Sequence, residues 1–100
     1  MAMSERLRAR IATLRVEYVK TFAGEIAGFE AELAALRTSG SPADLRERAH
    51  RIAGTSGSYA LNDICCAAQA LEQLCIDEAD LTAVESGVLL LCDHLSEASA

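Results

Sequence analysis

The chain has 100 residues, 51% hydrophobic and 24% charged, with aromatics at 4% and no Trp. That length holds one domain with a single core, the composition is that of a folding chain, and the core must come from Leu, Ile, Val and Ala. A formal net charge of −6 argues against nucleic acid as the main partner, because phosphate binding needs a basic surface.

Ser4 is the expected N-cap of a first helix. Apolar residues recur at Leu7, Ile11, Leu14, Tyr18, Phe22, Ile26, Phe29, Leu33 and Leu36. Every step is three or four residues, which makes one helical stripe over about 4–37. Gly24 and Gly28 lie off the stripe and weaken its middle. One long helix and two consecutive helices both fit, and the reading preferred is one helix bent near Phe22 to Gly24. Arg6, Arg8, Arg10 and Arg15 form a local basic patch that reads as a solvated face.

The run Thr38 to Pro42 stops that helix. Ser41 as N-cap, Pro42 at the first helical position and Asp44 in the first turn start the next, over about 42–59, with Leu45, Ala49, Ile52 and Ser56 as its apolar stripe. Propensity alone would end it at Gly54. A third helix spans about 62–75 with Ile64, Ala68, Leu71 and Cys75 inward, and a fourth spans about 79–96 on Leu81, Val84, Val88, Leu91 and Leu95. Short connections imply antiparallel neighbours. The expected fold is all-α, an antiparallel up-down four-helix bundle with a long N-terminal helix, forming one domain over residues 1–100.

Leu89-Leu90-Leu91 is too short to cross a bilayer, and no signal peptide is visible. Cys65, Cys66, Cys75 and Cys92 show no zinc-type spacing and read mostly as small hydrophobes. A reduced, cytoplasmic protein with no metal of its own, no membrane association and no nucleic acid is the expectation.

His50 stands in the most informative run, Ala49-His50-Arg51-Ile52-Ala53-Gly54-Thr55-Ser56-Gly57-Ser58-Tyr59-Ala60-Leu61. At about 100° per residue it points roughly 130° from the middle of its helix's apolar stripe, toward solvent. Ala53, Gly54 and Gly57 fall on its face, and glycine costs about 1 kcal/mol in a helix relative to Ala. A histidine in such a clearing is open to a large partner. A hydrolase would need an adjacent activated nucleophile, and a metal site would need more ligands than His94 and its neighbours offer. Nucleophilic attack on phosphorus fits better, since an ordinary imidazole titrates near pH 6.5 and needs only in-line access to one nitrogen while an acceptor holds the other.

Residues 49–72, in the pattern Ala-His-x-Ile-x-Gly-x-Ser-Gly-x-Tyr-x-Leu-x-x-Ile…Ala…Leu-Glu, resemble the histidine-containing phosphotransfer (HPt) domain of multistep phosphorelays. The resemblance implies a four-helix fold, His50 as phosphoacceptor, Gly54 as the clearing that admits a receiver domain, and a second helix continuing to about Tyr59. It implies that Glu72 can hold the His50 ring and leave Nε2 free. Glu72 also reads simply as a solvated charge after core Leu71. The family commonly has Lys three residues after the histidine, where this chain has Ala53. The missing charge would come from Arg46, Arg51 or the partner, or else transfer is slower and phosphohistidine shorter-lived. Ala60 stands where the family carries Gly.

The expected function is phosphoryl transfer from a receiver-domain aspartate to His50 and on to another receiver, with Arg46, Arg51, Ala53, Gly54, Gly57 and Ser58 as the phosphate- or partner-binding surface. The chain has no ATP-binding loop, so it would be a phosphocarrier without kinase activity and without a cofactor of its own. Mg²⁺ is expected on the receiver, and the partners would be response-regulator receiver domains and a hybrid histidine kinase. The domain is expected to be a monomer. The alternatives are a non-catalytic helical docking module, with His50 incidental, and a helical protein that dimerises through its first helix.

Overall fold

A computed structural model describes residues 4–100, in which five α-helices and no strand are found: α1 (Glu5–Val19), α2 (Phe22–Ser39), α3 (Ala43–Ser58), α4 (Asn62–Ile76) and α5 (Leu81–Ser99). Ser4 caps α1 by accepting from the Leu7 N–H at 3.2 Å. At the start of α3 the helix begins one residue later than expected. Pro42 is the cap residue, and Ser41 Oγ accepts from the Ala43 N–H at a long 3.5 Å. Asp80 caps α5 through the Ala83 N–H at 2.8 Å.

The expected single N-terminal helix is two. Both donors of Thr21 turn back on one carbonyl, that of Tyr18: the N–H at 2.9 Å and the hydroxyl at 2.7 Å. In a continuous helix that carbonyl would accept from the Phe22 N–H, and a side chain bonding back to the preceding turn interrupts and bends the helix. The regular pattern resumes with the Glu25 N–H on the Thr21 carbonyl at 3.1 Å. Gly24 and Gly28 are not the cause, since both lie inside α2.

Helices α2, α3, α4 and α5 surround a common core: α2 packs on α3 and α5, and α4 packs on the same two. Phe22, Phe29 and Leu33 enter it from α2, Leu45, Ala49 and Ile52 from α3, Ile64, Ala68, Leu71 and Cys75 from α4, and Val84, Val88, Leu91 and Leu95 from α5. These are the expected inward positions, except that Leu81 stays exposed at the first turn of α5. Helix α1 contributes no buried residue. Its stripe leaves Leu7 and Leu14 exposed, and near its end Tyr18 packs edge-on to Phe22 at 5.0 Å and against Tyr59 at 5.5 Å. The described residues extend 49 × 26 × 18 Å.

Candidate functional site

Helix α3 runs through Gly54 to Ser58 despite its glycines, because its buried face is uninterrupted: Leu45, Ala49, Ile52 and Ser56 all lie in the interior. Ser56 is polar but satisfied, with its hydroxyl donating to the Ile52 carbonyl at 2.6 Å. With that face turned inward, His50 is turned outward, and its side chain is 76% exposed.

Two turns of small residues follow. A Cβ built at Gly54 would meet nothing within 4 Å, and one at Gly57 would meet only Cys65 Sγ at 3.4 Å. Ser58 is exposed, its hydroxyl donating to the Gly54 carbonyl at 3.2 Å. Ala53 departs from the expectation that it belongs to the binding surface. It is 8% exposed and part of the core. The third residue after His50 sits about 60° round the helix, on the side that α4 covers, and Cys65 Sγ donates to the Ala53 carbonyl at 3.4 Å.

Helix α4 brings Glu72 to His50. Leu71 is fully buried, so the next residue emerges at the edge of the α3–α4 seam, and Glu72 Oε2 lies 2.7 Å from His50 Nδ1. A carboxylate only accepts, so Nδ1 carries the proton and donates. In the neutral ring Nε2 then holds a lone pair, and it makes no hydrogen bond among the described residues. The Glu72 side chain is 21% exposed, enough shelter to hold the ring in one orientation. Ala43, Arg46, Glu47, His50 and Glu72 line one open surface cavity of about 370 Å³.

The three arginines of α3 have different fates. Arg48 lies over the Phe29 ring and bonds both Glu25 and Glu32 of α2. The Glu32 hydrogen bond pushes its pKa further up, against the effect of burial. A Cβ at Gly28 would collide with this guanidinium, so Gly28 is where the arginine lies on the α2 backbone. Arg51 reaches the same Glu25 at 3.4 Å. Arg46 is exposed and forms no ion pair among the described residues. The α2–α3 clamp was missed in the sequence. Its signal was there, since Glu25, Gly28 and Glu32 share one helix face at spacings of three and four.

The remaining chemistry lies elsewhere. His94 lines a separate cavity with Arg15, Asp63 and Glu97. Cys66 is exposed and Cys75 buried, with Cys65 and Cys92 between. Burial pushes the Cys75 thiol up, Arg46 opposing and Glu72 adding to it, and burial raises Cys92 to about 11. Among the described residues no group of three His, Cys, Asp or Glu side chains is placed to hold a metal ion, and no helix is long and apolar enough to cross a membrane.

The family model described as Hpt domain matches residues 17–100. No curated protein and no solved structure gives a significant match.

Proposed function

The chain belongs to the Hpt domain family, whose members carry phosphoryl groups in phosphorelays and interact with receiver domains and histidine kinases, and on that premise we propose that His50 is its phosphoacceptor. The observation that carries the reading is the exposed ring of His50 with Nδ1 bonded to Glu72 at 2.7 Å. That bond leaves Nε2 as the nucleophile. The Nε2 lone pair attacks the phosphorus of a receiver's aspartyl phosphate, the N–P bond forms as the P–O bond to the aspartate breaks, and the aspartate leaves as a carboxylate with the bonding pair. The ring gains positive charge as it bonds phosphorus, and Glu72 on Nδ1–H stabilises that charge. The same steps in reverse pass the group to a second receiver.

In this reading Gly54, Gly57 and Ser58 form the approach surface. Helices α2 to α5 are the antiparallel up-down bundle that carries it, and α1 is an added arm. Mg²⁺ belongs to the acidic pocket of the receiver, where it offsets phosphoryl charge. The domain acts as a carrier with no kinase activity, in the cytoplasm, as a monomer. One observation favours a second reading on the last point, because the exposed Leu7 and Leu14 of α1, seven residues apart on one face, offer a seam for a second copy. Sizing at micromolar concentration separates the two.

The function is tested by incubating the chain with receiver domains charged by acetyl phosphate. The native chain is expected to gain acid-labile phosphate, and His50→Gln to gain none while keeping its helical circular dichroism. Equal uptake by His50→Gln would falsify the site.

A further inference from the structure

We propose that Arg46 is the cation that receives the phosphoryl group at His50, and that Glu25 withholds Arg51 from that role. The proposal rests on the reading of His50 as phosphoacceptor. A phosphoryl group brings up to about two negative charges into a cavity whose wall already holds the carboxylates of Glu47 and Glu72. Glu72 is committed to Nδ1. Without a cation the loaded state would set three anionic groups side by side.

Helix α3 has three arginines to meet that charge, and the ion pairs sort them. Arg48 is spent on Glu25 and Glu32 beneath the α2–α3 seam. Arg51 follows His50 directly, about 100° round the helix, and its guanidinium is drawn toward α2 by Glu25. Glu25 is itself fixed by Arg48 and only 15% exposed, so the tether on Arg51 is anchored. Arg46 has no such partner and lines the cavity with His50 and Glu72. Four residues before His50, it sits one turn away on the same face, where side chains are about 5–6 Å apart at Cβ.

The guanidinium of Arg46 can therefore close on a phosphoryl group at Nε2 and donate two hydrogen bonds to its oxygens, the geometry in which arginine binds phosphate best. The cation then stands one turn on the N-terminal side of the histidine. It takes over a task that position 53, covered by α4, does not perform with an alanine.

The test loads the full chain with phosphoramidate as a small phosphoryl donor, so that no receiver surface enters the result. Native chain, Arg46→Gln, Arg46→Lys and Arg51→Gln are compared for the rate of phosphate uptake on His50, with circular dichroism as the check on folding. Arg46→Gln is expected to load about fivefold more slowly, the scale of one charged hydrogen bond at a solvent-screened site. Arg51→Gln should stay within about twofold of the native rate, while Arg46→Lys should fall between the native chain and Arg46→Gln, since a lysine supplies the charge as a point cation without the paired hydrogen bonds. On loading, the Nε–Hε resonance of Arg46 should move and that of Arg51 should stay. Native-like loading of Arg46→Gln, or a larger loss in Arg51→Gln, overturns the assignment while leaving His50 in place. A native chain that takes no phosphate on His50 overturns both.

Discussion

At Gly54 an added Cβ would meet nothing within 4 Å, so internal packing gives no reason for a glycine in mid-helix. The reason lies outside the chain, in whatever must approach His50. We predict that Gly54→Ala raises stability by about 0.5–1 kcal/mol, read as a higher urea midpoint with an unchanged slope. The same substitution should slow phosphate uptake from a charged receiver domain by about tenfold, because the added methyl stands in the approach surface. A loss of stability would mean that the helix is strained there in a way the open face does not suggest. At this scale the exposure of His50 was legible, because a period of 3.6 residues sets where each side chain points. The seam was not: the residue third along from His50 turns toward α4, and only the packing of two helices shows that Ala53 is covered while Glu72 comes to the edge.

Among the elements, helix ends were easier to place than their chemistry. Helix α2 ends at Gly40 in the left-handed region, with φ of 74°, which glycine adopts at no steric cost. Helices α3 and α4 end in the same way on side-chain-bearing residues, Ala60 at φ 56° and Glu78 at φ 54°. Around Ala60 the Leu61 N–H donates to the Ser56 carbonyl at 2.9 Å and the Ala60 N–H to the Gly57 carbonyl at 3.1 Å, the paired bonds of a Schellman cap. Glu78 and Ala79 repeat the pattern on Cys75 and Leu74. A Cβ in this conformation costs roughly 1–2 kcal/mol, so Ala60→Gly and Glu78→Gly should each raise the thermal midpoint by a few degrees. The departure at Ala60 from the glycine of the family pattern is thus a small stability cost at a cap. The break between α1 and α2 was hidden for a different reason. An apolar stripe continues straight through Lys20 and Thr21, and periodicity carries no record of a hydroxyl that competes for a carbonyl.

Across the whole molecule the family match begins at residue 17, and α1 before that point lends nothing to the core. The charge divides close by, at the start of α2. Five of the nine Lys and Arg residues, Arg6, Arg8, Arg10, Arg15 and Lys20, precede α2, against only Glu5 and Glu17 of the fifteen acids. We predict that a chain lacking residues 1–16 unfolds cooperatively within a few degrees of the full chain and loads phosphate at a similar rate, since Tyr18 and its contacts with Phe22 and Tyr59 remain. A collapse of cooperativity would show that α1 supports the core through its contacts with α5. Helices α3, α4 and α5 were readable because each carries one clean apolar face. The extent of α1 beyond the core was not, because a stripe that looks ready for burial does not say whether anything covers it. The central claim remains that one ring nitrogen of one histidine takes the phosphoryl group. Its most direct test is a ¹⁵N-, ³¹P-resolved NMR spectrum of the phosphorylated full chain. The expected result is phosphorus coupled to Nε2 of His50, with Nδ1 still protonated and His94 unmodified. Phosphorus on Nδ1, or on His94, would contradict the account.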